Sequence, residues 1–259
     1  MAESDHLLGE PIDRAIVAGG DGTVSRLAPW LAGTNVPFCI LPLGTANNCA
    51  RSLDQMRPVE EVLSRFDSAP TKRIDLGILT NPAGHRIFIE SAGLGLLAIF
   101  MSEMRLLEKK NGSRERLSAE SRLFDAIKYL GKLTKPFPGA ECELLLDNEI
   151  VTGDFLILEV SNMRFIGPNL DLFPDADPRD GQLDVVSVDF DRCKEWREYL
   201  KALRNGEKAE APVKTRRCRK AVFRCVEIPA HVDGKVFLTM AAPISIRCQP
   251  GVLEVIDFS

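Results

Sequence analysis

Two short loops hold the residue types best suited to chemistry in this chain. The first is Gly19-Gly20-Asp21-Gly22-Thr23. Glycine tolerates positive φ and lets the backbone approach a ligand closely, and N–H groups at a helix N-terminus favour phosphate. Asp21 adds a carboxylate there, suited to holding Mg2+ through water or to orienting a hydroxyl. The same residues would also serve as a tight strand-to-helix turn with a solvated Asp. The second loop, Pro42-Leu43-Gly44-Thr45-Ala46-Asn47-Asn48, offers Thr45 or Asn47 as a helix cap. Neither loop is a P-loop, because no Lys-Ser/Thr pair follows, and neither is Gly-x-Gly-x-x-Gly. The candidate phosphate-binding set is therefore Gly19, Gly20, Asp21, Gly22, Thr23, Gly44, Thr45 and Asn47.

Carboxylates gather in two further places. Asp175, Asp177, Asp180 and Asp184 lie in and after a Pro-containing loop. Asp180-Gly181 is a turn signal, so a solvated turn and a hard-cation site both fit the local sequence. Asp233-Gly234 is another turn, followed by Lys235 and a predicted strand over 236–239. Locally it reads as a hairpin; Lys235 either faces a phosphate or points to solvent.

The elements that must position these groups change character near residue 70. Before it, the apolar run Ala15-Ile16-Val17-Ala18 feeds the first loop, and Val24, Leu27, Ala28 and Leu31 follow at helical spacing. A second apolar strand over 36–41 feeds the second loop, and Val59, Val62, Leu63 and Phe66 mark another helix. Two such strand ends side by side form the ligand edge of an open α/β sheet. Ser68-Ala69-Pro70 reads as a linker, giving an α/β domain over 1–70 and a larger domain over 71–259. The second shows short strands at 73–79, 86–90, 142–146, 155–160, 183–188, 222–226, 244–247 and 253–256. Asp147-Asn148 suits a hairpin turn, and helices are predicted over 96–108, 119–133 and 193–204. This spacing predicts an antiparallel sandwich.

Gly19 to Thr23, followed by Leu41-Pro42-Leu43-Gly44-Thr45-Ala46-Asn47-Asn48-Cys49-Ala50-Arg51, resembles the catalytic domain of soluble diacylglycerol kinases, sphingosine and ceramide kinases and their bacterial lipid-kinase relatives. Ser91-Ala92-Gly93-Leu94-Gly95 resembles the family's small-residue segment. Asn162 with Gly167, Leu172-Phe173-Pro174-Asp175-Ala176 and Asp180-Gly181-Gln182-Leu183-Asp184-Val185 resemble its middle region. Val232-Asp233-Gly234 and Pro243-Ile244-Ser245-Ile246 resemble its closing segment, so the likeness covers nearly the whole chain.

The resemblance implies an α/β nucleotide domain packed on a β-sandwich with the active site in the cleft. It implies transfer from ATP to a lipid hydroxyl, with Asp233 as general base beside Asp21. It also implies a structural Mg2+ held by the Asp180 carboxylate and the main-chain carbonyls of Asp177 and Gln182, distinct from the Mg2+ that travels with ATP; Ca2+ suits the same oxygens. Two departures stand out. Only residues 1–13 precede the first strand, where the family usually has two more βα units opening on Asn-Pro-x-x-Gly, which implies an N-terminally truncated domain. Lys235 stands where the family generally has a catalytically important Glu. Two other readings stay open: an NAD kinase-type enzyme, which shares Gly-Gly-Asp-Gly but not the second loop or the Asp180 region, and a catalytically degenerate member that binds lipid.

Composition limits the remaining classes. A net charge of -4 argues against a nucleic-acid partner, and 259 residues, 45% hydrophobic, suffice for two modest domains. No apolar run reaches a membrane span, and the N-terminus lacks a signal peptide's features. Seven cysteines without a C-x-x-C pair argue against disulfides or structural zinc and for a reducing cytoplasm. The expected location is cytoplasmic, or peripheral at the inner membrane face, with a membrane lipid as substrate. Residues 96–107 are apolar on more than one face, fitting core and, in part, an acyl-chain pocket. Lys214, Arg216, Arg217, Arg219, Lys220 and Arg224 form the strongest positive run, read as a charged strand edge or a contact with anionic lipid. A homodimer is a further expectation.

Overall fold

The computed structural model describes residues 12–111, 118–239 and 242–259. Apolar residues that alternate or run continuously form the first two strands, β1 (Ala15–Gly19) and β2 (Phe38–Pro42), which pair in parallel. Their register places Gly19 opposite Pro42, so both strands end at the same height and both loops open to one side. Helix α1 (Asp21–Leu31) follows the first loop and buries Val24 and Ala28. The short α2 (Asn48–Ser52) follows the second, and α3 (Val59–Arg65) buries Val62.

The rest of the chain is strand-rich. In order come β3 (Thr71–Asn81), β4 (Gly84–Phe88) and β5 (Ser91–Gly95), then α4 (Leu96–Asn111) and α5 (Ala119–Leu133). They are followed by β6 (Ala140–Leu146), β7 (Glu149–Ser161), β8 (Phe165–Ile166), β9 (Leu170–Asp171) and β10 (Leu183–Asp189). Helix α6 (Cys193–Arg204) leads to β11 (Lys214–Cys218), β12 (Lys220–Cys225), β13 (Pro229–Val232), β14 (Lys235–Leu238) and β15 (Ile244–Ile256). The main path of the sheet runs β1-β2-β15-β12-β6-β7-β5-β13-β14, with β10, β11, β3 and β4 branching from it. Two 13-residue strands change partners along their length. β7 passes from β6 to β5 and β10, and β15 passes from β12 to β2 while β3 stays beside it. Such hand-overs carry strands from one layer to another. The result is a small α/β unit followed by a larger, mainly antiparallel β unit.

The packing crosses the boundary read at residue 70. The core around Val17, Phe38 and Ile40 also contains Ile74, Leu76, Ile89, Met163, Leu253 and Val255. Segments 244–247 and 253–256, expected as separate strands, are one strand with a register shift between Gln249 and Leu253. Gly251 takes φ 59 at that irregularity and donates its N–H to Asp75 Oδ1 at 2.7 Å. The 86–90 segment also differs: β4 ends at Phe88, and Ser91 starts a new strand.

The cysteine expectation is corrected by a Cys142–Cys225 disulfide. These residues face each other across the antiparallel β6–β12 pair, a proximity that a sequence separation of 83 does not reveal. The other five cysteines are free. Among the described residues no helix is long and apolar enough to cross a membrane.

Candidate active site

The two glycine loops pack backbone against backbone. A Cβ on Gly44 would lie 2.5 Å from Gly20 Cα, and one on Gly20 would lie 2.8 Å from Gly44 Cα. Nothing lies within 4 Å of a Cβ on Gly22, so that glycine faces open space. Leu43 N–H donates to Gly19 O at 3.1 Å, fixing one loop on the other.

Helix capping differs from expectation. Asn47 sits at φ 53, and its side chain turns back into its own loop: Oδ1 accepts from Gly44 N–H at 2.8 Å, and Nδ2 donates to Gly44 O at 3.1 Å. Neither Asn47 nor Thr45 caps α2 with its side chain. That duty falls to Asp21, whose Oδ1 accepts from Cys49 N–H at 2.9 Å. Asp21 is thus half-buried and bridges the two loops.

Asp233 arrives from the other unit. It and Gly234 occupy the β13–β14 turn at φ 44 and 70, the two positive values a two-residue hairpin of this hand requires. Its carboxylate accepts from the N–H groups of Ile89, Glu90 and Ser91 at 3.0–3.1 Å. Burial nevertheless pushes its pKa up to about 6, against the opposing pull of these N–H groups and of His231.

Sequence reasoning missed Glu90, which lies between the two motif acids. Its backbone N–H holds Asp233, and its buried carboxyl accepts from Asn48 Nδ2 at 2.8 Å. Ligand-type atoms of Asp21, Cys49 and Glu90 all lie within 4.8 Å of one another. Burial, then the charges of Asp21 and Asp233, push the Glu90 pKa well above the carboxyl range. The available signal was an acid closing the apolar run Ile87-Phe88-Ile89. A second missed pair lies behind it. Glu159, Gly93 and His231 are register neighbours across β7, β5 and β13. The Glu159 carboxylate passes over Gly93, where a Cβ would come within 2.1 Å of it, and meets His231 Nε2 at 2.9 Å with both side chains fully buried.

Two cavities meet at this place. One, of about 360 Å³, is walled by Gly20, Gly22 and Thr23 on one side and by Arg105, Asp233 and Lys235 on the other. The second, of about 680 Å³, is walled by Leu27, Pro29, Trp30, Ile87 and Val232. Thr23, Ser25, Arg26, Asp233 and Lys235 line both. The apolar face of α4 goes into the core through Leu96, Leu97 and Phe100; Arg105 is its contribution to the smaller cavity.

The acidic loop lies apart from these linings. Asp177 forms an ion pair with Arg179, Asp180 Oδ1 accepts from Gln182 N–H at 2.9 Å, and Asp184 pairs with Arg217. The basic run is largely ion-paired as well, Lys214 with Asp189, Arg216 with Glu149 and Arg224 with Glu143.

Comparison with known proteins matches this arrangement. Residues 5–79 match the model of the diacylglycerol kinase catalytic domain. Residues 115–257, more than half of the chain, match that of the YegS C-terminal NAD kinase beta sandwich-like domain. The chain belongs to the diacylglycerol kinase-like lipid kinase family. It is 28% identical to a diacylglycerol kinase of Mycobacterium tuberculosis (strain CDC 1551 / Oshkosh), over 98% of this chain and 81% of that one. It is 31% identical to a protein named a YegS-like lipid kinase from Pseudomonas savastanoi pv. phaseolicola, over 71% of this chain and 57% of the relative. A crystal structure described as a diacylglycerol kinase from Bacillus anthracis str. Sterne superposes with a TM-score of 0.66 at 18% identity, covering 95% of this chain and 76% of that one, which shows a shared fold.

Proposed function

We propose that this lipid kinase transfers the γ-phosphoryl group of ATP to the hydroxyl of diacylglycerol or a similar membrane lipid, a step of phospholipid synthesis at the inner membrane face. The supporting observation is the shared wall: Asp233 and Lys235 line both a glycine-walled cavity suited to phosphate and an apolar cavity suited to an acyl chain. The loop Gly19, Gly20, Gly22 and Thr23, with Gly44, Thr45 and Asn47 beyond, forms the phosphate site of this reading. The N–H groups of Thr23 and Gly44 are already held by Gly20 O and Asn47 Oδ1, so these two residues shape the loops while the remaining N–H groups face the phosphates. The lipid hydroxyl oxygen attacks the γ-phosphorus, the bond to the bridging oxygen breaks, ADP leaves, and Asp233 takes the hydroxyl proton. Asp21 holds the loops together and orients the reacting groups, and Lys235 offsets charge on the transferred phosphoryl group. Positioning and charge neutralisation are what phosphoryl transfer chiefly demands.

The carboxyl oxygens of Asp21 and Glu90, gathered beside Cys49, suit a hard cation. Mg2+ bound with ATP would supply neutralisation of the phosphate oxygens. For a second Mg2+, Asp180 provides a carboxylate and Asp177 a carbonyl that accepts only a long bond from Asp180 N–H at 3.3 Å, with Gln182 completing the set.

The test is an assay with labelled ATP, Mg2+ and diacylglycerol in mixed micelles. Labelled phosphatidic acid is the expected product, and Asp233→Asn should lower turnover by about 10²–10⁴. Labelling of NAD instead would move the chain to the NAD kinase class.

A further inference from the structure

Several basic side chains of this protein have an acidic partner, among them Arg57, Arg65, Arg164, Arg179, Arg217 and Arg224. Three that line the smaller cavity do not. Among the described residues, Arg105 and Lys235 have no ion pair, and the one hydrogen bond of Arg26 runs from Nε to Gly22 O at 3.1 Å. That bond leaves its two terminal nitrogens available and fixes the guanidinium over the first turn of α1. The cavity therefore has three cations against one carboxylate, Asp233, which three backbone N–H groups already satisfy.

The three cations also come from three elements. Arg26 is on α1 of the first unit, whereas Arg105 on α4 and Lys235 on β14 belong to the second. An uncompensated positive wall facing glycine N–H groups is complementary to an anion carrying several charges and several oxygens. Guanidinium groups suit phosphate oxygens because they bind two at once, and an ammonium adds a mobile point charge. The glycine loop lacks the lysine that a P-loop carries within its own motif, so positive charge must reach the phosphates from elsewhere.

We propose that Arg26, Arg105 and Lys235 form a clamp for a polyphosphate chain, with Arg105 reaching across the cleft from α4 to the phosphate held on the Gly20–Thr23 loop. The clamp rests on the kinase reading for its biological ligand, a nucleoside triphosphate, but its chemistry is that of polyphosphate itself. An anionic lipid headgroup presents similar oxygens, so the experiment must separate the two.

Calorimetric titration of the full chain with inorganic tripolyphosphate is the direct measurement. Arg105→Ala and Lys235→Ala should each weaken binding about 10- to 100-fold, with melting temperatures unchanged because neither side chain has a partner to lose. Arg105→Lys should keep part of the affinity, and each alanine variant should reduce the salt dependence of binding. A parallel arm measures binding to vesicles with and without phosphatidylglycerol. Tripolyphosphate affinity unchanged in Arg105→Ala, or a loss confined to the vesicle arm, would overturn the clamp, as would a wild-type chain that does not bind tripolyphosphate. The kinase reading is judged separately by lipid product from the wild-type chain. Turnover with Arg105-independent tripolyphosphate binding sinks the clamp alone; Arg105-dependent binding without turnover sinks the kinase reading alone.

Discussion

Three acidic residues of the cleft carry different physical burdens. Asp21 accepts a backbone N–H across two loops, so its removal is structural as well as chemical. Asp21→Ala should cost about 1 kcal/mol of stability, the usual scale for a lost cap, whereas Asp21→Asn keeps an acceptor and should melt close to wild type. Both should lose transfer, and comparing their melting curves with their rates separates the two roles. Asp233 is the acid with a readable pH signature. Burial raises its pKa to about 6, so it takes a proton as pH falls through that value. A general base is active only when ionised. Turnover should therefore fall roughly tenfold per pH unit below about 6, a limb absent from whatever residual activity Asp233→Asn retains. An unchanged acid limb in that variant would assign it to another group. Glu90, pushed upward by burial, should tolerate Glu90→Gln with little loss of stability, since the amide oxygen still accepts from Asn48. Glu90→Ala removes one of the two acceptors of Asn48 Nδ2, leaving only Gly167 O at 2.9 Å, and should cost about 1–3 kcal/mol.

At the scale of elements, the glycines divide by what surrounds them. Gly44→Ala forces a Cβ to 2.5 Å from the Gly20 backbone, which cannot swing aside as a side chain does. It should separate the loops, lowering both the melting temperature and nucleotide affinity. Gly22→Ala meets no atom within 4 Å and should leave the melting temperature unchanged while weakening ATP, because its methyl would enter the space that the proposed phosphate site uses. Equal effects of the two substitutions would contradict this division. The loops themselves were legible because glycine and Asn in a strand-to-helix turn are a local signal. So were α5 and α6, whose bounds match the apolar spacing. β11 was not legible: Lys-Thr-Arg-Arg-Cys shows no apolar alternation because four of its five positions face solvent in whole or part of the side chain and its charges are met by acids far away in sequence. β13 is four residues opening on Pro, and Asn47 spends its side chain on its own loop. Glu90, Arg105 and the Glu159–His231 pair acquire their roles only from contacts between distant segments, which no local pattern encodes.

At the scale of the whole molecule, one buried carboxylate ties the acidic loop to the strand that closes the first unit. Asp75 Oδ2 accepts from Gly181 N–H at 2.7 Å, and its Oδ1 accepts from Gly251 N–H at the bend of β15, also at 2.7 Å. Asp75 N–H in turn donates to Pro178 O at 2.7 Å. Beyond that bend, β15 runs beside β2 and contributes Leu253 and Val255 to the core that also holds Val17, Val24 and Ile40. A cation on Asp180 would therefore brace a loop that reaches the first unit through two hydrogen bonds. Asp180→Asn retains the turn, because Asn serves there much as Asp does, but removes the charge that a hard cation needs. A ligand that binds only the folded state stabilises it by mass action. Wild type should thus melt higher with Mg2+ than with chelator, and Asp180→Asn should melt at one temperature in both. Asp75→Asn is the complement: it places an amide N–H against a backbone N–H, and should lower the melting temperature with or without Mg2+, by about 1–3 kcal/mol in stability. Identical Mg2+ responses in wild type and Asp180→Asn would leave Asp180 as a turn residue, with Asp75 still tying the loop to β15.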